Sequence, residues 1–218
     1  MAVESVTVKT QAPTRKPGVM RSLAISFTVI GALGNYVVPL MIGTGGHVRD
    51  DIPEGIAAGR ARVPGGVVSY APHLGPDPRL RAAVLGRISE AQGEWSAGQT
   101  SVVLLGRGTS VTDANADHAR LARVLLEEGG FADVIAGFIQ VSRPNLASAL
   151  DGAYAHGGRR IVVMPHFLFP GRLLGWTQQQ TAEWQQAHPD AEVRISDVIG
   201  DCDELAAVVA DRYREAAA

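Results

Sequence analysis

Residues 159–172 read RRIVVMPHFLFPGR, an apolar run that passes through a proline into a loop with glycine. SVVLLG at 101–106 is a second short apolar run, and glycine ends it. Runs of this length, bounded by glycine or proline, predict buried strands. Between and after them lie helical stripes that end at glycine or before proline. The predicted strands cover 101–106, 134–141, 159–169 and 193–199, and the predicted helices cover 112–128, 144–156, 173–187 and 203–217. This alternation predicts βαβ units and a mostly parallel sheet.

The first half of the chain repeats this pattern. VVPLMIGTGGH, which ends at His47, parallels VVMPHFLFPGR, which ends at Arg172. His47 and Arg172 are 125 residues apart, and Gly75 and Gly200 have the same separation. Two independent landmarks at one offset indicate a tandem duplication of an α/β unit.

The duplication predicts an N-terminal lobe over 1–98 and a C-terminal lobe over 99–218. At the same offset, the counterpart of Ser101 falls before Met1, so the opening strand of the first lobe has no counterpart in the sequence. We therefore expect an incomplete N-terminal lobe, in which residues 3–36 form a degenerate second strand and second helix.

Composition argues against several classes of function. The formal net charge is −2 and the arginines are scattered, which does not indicate a nucleic-acid partner. Cys202 is the single cysteine, which excludes an internal disulfide and a cysteine zinc site and suits a reducing compartment. Residues 15–34 have a basic start and an apolar run, but the run is shorter than the roughly 20 residues of a membrane span. We expect a cytoplasmic protein with no membrane partner.

Ligands of parallel α/β sheets bind outside the carboxyl ends of the strands. Three loops at such ends combine glycine with one long polar side chain, namely TGGH at 44–47, GRGTS at 106–110 and PGR at 170–172. Glycines such as Gly45 and Gly46 let the backbone approach a ligand closely. His47 can be neutral near pH 7, so it can bind a divalent metal or accept a proton. Arg107 and Arg172 carry forked donors that suit carboxylates.

Each of these residues also has a structural interpretation. His47 could cap the following helix, and the two arginines could be solvated loop residues. Asp50 and Asp51 are expected to complement the N-terminus of that helix rather than to hold metal. His166 is expected to be buried or hydrogen-bonded, and we assign no role to the remaining histidines, which are His73, His118, His156 and His188.

Four stretches together resemble the sirohydrochlorin chelatases. They are GGHVRDDIP, LLGRGTSVTDANADHARLAR, VVMPHFLFPGRLLGW and HPDAEVRISDVIGDCDELAAVVADRYREA. The resemblance covers about residues 37–218 and is strongest to the long, two-unit, cobalt-inserting members of vitamin B12 synthesis. It implies a chelatase-like α/β fold, in which two similar lobes with parallel sheets face a central cleft. It also implies insertion of a divalent metal, Co²⁺ by this likeness, into a carboxylate-rich tetrapyrrole; the metal is a substrate, and no cofactor is expected.

The resemblance assigns roles to individual residues. In the long members two histidines of the N-terminal lobe carry the metal chemistry, and His47 matches the second of them. The first, in a Gly-His-Gly-Ser loop, has no counterpart here. Arg107 and Arg172 stand at the corresponding positions of the C-terminal lobe. The resemblance thus implies that His47 is the catalytic and metal-binding residue, and that Gly45, Gly46, Arg107 and Arg172 bind the substrate.

Two alternatives stay open at this point. No residue distinguishes cobalt insertion from iron insertion toward siroheme, or from nickel insertion. The unmatched Gly-His-Gly-Ser loop also leaves a non-catalytic protein that binds the tetrapyrrole or the metal. An incomplete first lobe exposes a sheet edge, which a homodimer would cover.

Overall fold

The computed structural model describes residues 26–31, 34–62 and 67–218, and for 26–31 and Gly34 it describes the backbone alone. The described chain forms two sheets with helices between and around them. The strands are β1 Ser26–Gly31, β2 Gly34–Pro39, β3 Val68–Tyr70, β4 Ser101–Gly106, β5 Asp133–Phe138, β6 Arg160–Pro165 and β7 Glu192–Ile195. The helices are α1 Ile52–Arg62, α2 Pro78–Gln92, α3 Thr112–Gly129, α4 Leu146–Ala155, α5 Arg172–Ala187 and α6 Asp203–Ala217.

The second sheet has the order β5-β4-β6-β7, and all of its strands are parallel. Every residue of β4 is buried, as its unbroken apolar sequence predicts. The strands predicted over 134–141, 159–169 and 193–199 end earlier than expected, at Phe138, Pro165 and Ile195. After Pro165 the chain turns at once, since the Phe167 N–H donates to the Pro165 carbonyl at 2.8 Å. The predicted alternation of strands and helices is confirmed.

The first sheet has the order β1-β2-β3 and differs from the prediction at its edge. We expected a helix to lead into β2, but residues 26–31 form a strand that pairs with β2 in antiparallel fashion. Beside β2, strand β1 takes the place that β4 takes beside β6 in the second sheet. The expectation for residues 26–31 was therefore wrong, and the part that falls on residues 3–25 lies outside the described residues.

Two helices are exchanged between the sheets. Helix α2 comes from the first half of the sequence but packs against β6 and β7, while α6, from the second half, packs against β2 and β3. The two helices also pack against each other, and the Arg79 guanidinium on α2 donates to Asp211 on α6 at 2.6 Å. The predicted lobe boundary between residues 98 and 99 stays a prediction, because the packing crosses it.

One hydrophobic core follows from this exchange. It joins Val38 of β2 and Leu40, which follows β2, to Leu104 and Met164 from the second sheet, and α2, α3 and α6 contribute residues to it. A second core lies on the opposite face of the second sheet, under α4 and α5. Among the described residues, no helix is both long and apolar enough to span a membrane.

Ile88 on α2 tests the shared core, because its side chain is fully buried there. We expect Ile88→Ala to lower the free energy of unfolding by about 2–5 kcal/mol, as the loss of a packed aliphatic side chain leaves a cavity. Urea unfolding should show a single transition, shifted as a whole. The exposed neighbour Ser89 gives the control Ser89→Ala, which should stay within about 0.5 kcal/mol of the wild type. Two separate transitions, with one unaffected by Ile88→Ala, would contradict a core shared by both sheets.

Candidate functional site

A crevice of about 700 Å³ opens where the two sheets meet. Its walls are the loop that follows β2, the loop that follows β3, the loop that follows β4, and the facing side of α3. All three strands point their carboxyl ends toward it, as expected for a ligand site in a parallel α/β fold. The volume lies within the range of about 300–1,000 Å³ that is usual for small-molecule and cofactor sites.

His47 lies in this crevice, as do Gly45 and Gly46. His47 begins a short π-helical turn, His47–Asp51, and this turn leads directly into α1. Its ring nitrogen Nδ1 contacts a carboxylate oxygen of Asp51, one turn further on. Asp51 was expected to serve only the helix N-terminus, but here it also holds the imidazole. Because Nδ1 faces the carboxylate, Nε2 is the nitrogen left for a ligand.

The loop after β4 is held rigidly. The Asn115 side chain accepts from the Thr109 N–H at 3.1 Å and donates to the Thr109 carbonyl at 2.7 Å. The Ser142 hydroxyl donates to the same carbonyl at 3.0 Å. Gly108 has φ +83°, and a Cβ there would collide with the Gln140 carbonyl, so the loop requires glycine at this position.

Arg107 is carried by this braced loop. Its side chain is exposed and lines the crevice, and it forms no ion pair with any residue that the structure describes. A guanidinium in this setting is available to a carboxylate of a ligand. The loops of the two sheets approach each other here, since a Cβ at Gly45 would lie 3.8 Å from the Thr109 hydroxyl oxygen.

Arg172 lies elsewhere. It is the first residue of α5, directly after Gly171, and is exposed. It is not among the residues that line the crevice, so the structure does not bring it together with His47 and Arg107. Its assignment to substrate binding stays a prediction.

Three histidines that the sequence left without a role also line the crevice, namely His73, His118 and His166. The rings of His118 and His166 stack with centroids 5.5 Å apart and planes inclined by 24°. A Cβ at Gly106 would lie 2.9 Å from the His118 ring, so glycine at the end of β4 makes room for this imidazole. The sequence indicated only weakly that these two histidines lie in the crevice. His118 interrupts the apolar stripe of a helix, and His166 follows the end of a strand.

The electrostatics of these rings follow from burial. Burial lowers the pKa of His118, and burial together with the adjacent His118 lowers the pKa of His166 to about 3. Burial also lowers the pKa of His73, and the nearby Arg212 guanidinium lowers it further. His118 and His166 are therefore neutral near pH 7, with no positive charge to repel a metal ion.

Acidic groups near the crevice are mostly engaged with arginine. Asp77 accepts from the Arg79 guanidinium, which lowers its pKa, and Asp117 lies 3.9 Å from Arg120. In residues 34–62 and 67–218 no three histidine, cysteine or acidic side chains cluster as a ready metal site.

Comparison with known proteins places the chain in a family. A model of the CbiX family matches residues 15–91 and 101–216, one match in each half of the chain. These matches cover well over half of the sequence, so the chain belongs to the CbiX family. The predicted kinship with the sirohydrochlorin chelatases is thereby confirmed.

Named relatives agree with this family. The sirohydrochlorin cobaltochelatase of Priestia megaterium is 26% identical over 187 residues, which are 85% of this chain and 61% of the relative. The sirohydrochlorin ferrochelatase of Bacillus subtilis (strain 168) is 29% identical over 188 residues, which are 86% of this chain and 70% of the relative. The chain thus spans about six tenths to seven tenths of the length of these relatives.

The fold agrees as well. The structure described as SirB from Bacillus subtilis with Fe³⁺ superposes with a TM-score of 0.72 at 30% identity, over 84% of this chain and 71% of that one. The predicted chelatase-like α/β fold with two lobes is confirmed.

His166, which is half-buried and stacks on His118, gives a test of the neutral imidazoles through the pH dependence of stability. Its ring is neutral in the folded protein and titrates near pH 6.5 in the unfolded chain, so below pH 6.5 the unfolded state binds more protons. Stability must then fall as the pH falls, by about 1.2 kcal/mol between pH 7 and 5.5 for this one group. His166→Phe should remove that share of the pH dependence, measured by urea unfolding at both pH values. An unchanged dependence in the variant would contradict the neutral ring.

Proposed function

We propose that this chain inserts a divalent metal ion into a sirohydrochlorin-type tetrapyrrole. The observation that carries the proposal is the position of His47, an imidazole on the carboxyl edge of the first sheet, in a crevice of about 700 Å³ in a CbiX-family chain. The cobaltochelatase and ferrochelatase named above support the substrate class, because their names give the same tetrapyrrole.

His47 is suited to the chemistry that insertion requires. Two pyrrole protons must leave the macrocycle while the metal ion sheds water and enters it. A neutral imidazole can hold the ion in an unsaturated site or accept one of the protons. The contact between Nδ1 and Asp51 orients the ring so that Nε2 is the nitrogen left for the ion or the proton.

Arg107 supplies the binding of the substrate periphery. Its exposed guanidinium can pair with the carboxylates of the macrocycle, and the braced loop fixes its backbone. Gly45 and Gly46 let the backbone of the opposite wall approach the ring face. We keep Arg172 as a more remote candidate, to be tested beside Arg107.

Cobalt is the metal that we propose, on the resemblance to the long cobalt-inserting members and hence to cobalamin synthesis in the cytoplasm. Imidazole ligands accept Co²⁺, Ni²⁺ and Fe²⁺ alike, so the described residues give no basis for selectivity. The relatives carry both cobalt and iron in their names at similar identity. Insertion rates for Co²⁺ and Fe²⁺, measured side by side without oxygen, decide between the two pathways.

A non-catalytic tetrapyrrole-binding protein is the second candidate. One observation favours it, since the described residues offer no cluster of three metal-binding side chains. The two candidates separate in the absorption spectrum of protein mixed with sirohydrochlorin and Co²⁺. Metal insertion faster than in the mixture without protein supports the enzyme, whereas a shifted tetrapyrrole band at the spontaneous rate supports the binding protein.

His47→Ala is the sharpest variant for the enzyme. We expect the insertion rate to fall by about 100-fold or more, because an imidazole that transfers a proton contributes about 10²–10⁴. Tetrapyrrole binding, measured by fluorescence quenching, should stay within about threefold of the wild type, since the arginine and glycine contacts remain. His156→Ala is the matched control: His156 is an exposed histidine that pairs with Asp133 away from the crevice. An unchanged insertion rate in His47→Ala would remove the role given to His47.

Arg107→Ala tests recognition of the carboxylates. We expect the KM for the tetrapyrrole to rise about tenfold with kcat nearly unchanged, because the arginine binds ground state and transition state alike. Arg172→Ala is expected to act in the same direction, and Arg123→Ala on the outer part of α3 serves as the control. If neither Arg107→Ala nor Arg172→Ala raises KM, neither arginine binds the substrate, and both are solvated side chains.

A further inference from the structure

His166 follows directly after the buried strand β6, and its ring faces the crevice. Its backbone N–H donates to the Leu105 carbonyl at 2.9 Å, which ties it to the end of β4. Its ring lines the crevice and makes no hydrogen bond with any residue that the structure describes. His166 is half-buried and its ring nitrogens are not sealed from the crevice, so the ring is open to a ligand that enters there.

The other two unassigned histidines are less suitable. In His118 the ring nitrogen Nε2 donates to the Leu104 carbonyl at 3.1 Å, and the ring is buried against Phe138 and Gly106. His118 is therefore a positioning residue whose stacked ring fixes His166. His73 lies close enough to the Arg212 guanidinium for that charge to lower its pKa, and the same charge would repel a cation.

We propose that His166 is a second imidazole ligand for the divalent ion in the crevice, and that it acts from the second sheet while His47 acts from the first. The inference rests on the proposed function for the identity of the ion, but the binding can be measured without the tetrapyrrole. It gives the C-terminal half of the chain a direct part in holding the metal, where the sequence had suggested only arginines.

The chemistry of the ring supports this role. A histidine must be deprotonated to bind a metal, so protons compete with the ion at an ordinary imidazole below about pH 6.5. Partial burial and the adjacent His118 lower the pKa of His166, which favours the deprotonated ring. A neutral imidazole suits Co²⁺, Ni²⁺ and Zn²⁺.

The test is a calorimetric titration of the full chain with CoCl₂ at pH 7.5, accompanied by the visible d–d spectrum of bound Co²⁺. We expect His166→Phe, which keeps an aromatic ring for His118 to stack on, to weaken Co²⁺ binding at least about tenfold, as the loss of even an outer partner costs 10–100-fold. The d–d bands should shift as one nitrogen ligand is lost. His156→Ala, the exposed histidine control, should bind Co²⁺ as the wild type does.

A second variant protects the test against misfolding. If His166→Phe loses its circular dichroism or its cooperative urea transition, His166→Gln takes its place, since Gln is polar and close in length. Unchanged Co²⁺ affinity and spectrum in a folded variant would overturn the inference.

Failure of the inference and failure of the proposed function give different results. If the wild type inserts Co²⁺ into sirohydrochlorin and a folded His166 variant binds Co²⁺ normally, the function stands and the inference is overturned. If the wild type does not accelerate insertion but His166→Phe weakens Co²⁺ binding, the inference stands and the proposed enzyme is excluded.

Discussion

The exchange of α2 and α6 between the two sheets is the constraint on which the rest of the structure depends. Each sheet is covered by a helix from the other half of the sequence, and the two helices pack on each other with Arg79 and Asp211 joined across them. Burial of their apolar faces in one continuous core fixes the two sheets relative to each other. The shape of the crevice between the sheets is consequently fixed by this packing, unlike a crevice between independent domains that move about a hinge.

This arrangement brings residues that are distant in sequence to one edge. The loops after β2, β3 and β4 meet because parallel strands end on the same side of a sheet and because the exchanged helices hold the two sheets with those ends together. His47 enters from the first sheet with Asp51 behind it, and Arg107 and His166 enter from the second. Polar side chains from the two halves of the chain thus line the same crevice.

Most of the second half could be predicted from the sequence. The bounds of β4, α3 and α6 were predicted almost to the residue, because an apolar run closed by glycine and an amphipathic stripe depend on local sequence alone. Strand ends at Phe138, Pro165 and Ile195 were predicted too far along, since apolar residues continue into loops that are buried by tertiary packing. Residues 26–31 were expected to belong to a helix but form an antiparallel strand, because a short apolar run is compatible with either element and only the pairing with β2 decides between them.

The candidate site was predictable only in part. His47, Gly45, Gly46 and Arg107 stand in glycine loops at strand ends, a pattern that by itself indicates a ligand crevice. The stacking of His118 on His166 could not be foreseen, because it joins a helix to a strand end 48 positions later in the chain through tertiary packing. Helix exchange likewise has no signature in either lobe taken alone, although the repeat at a separation of 125 residues suggested that the two halves are equivalent.

The most direct test of the account is a crystal structure of the chain grown with Co²⁺ and measured at the cobalt absorption edge. The account predicts an anomalous peak in the crevice, in bonding distance of Nε2 of His47. A peak only outside the crevice, or no peak at a Co²⁺ concentration that saturates binding in solution, would contradict it.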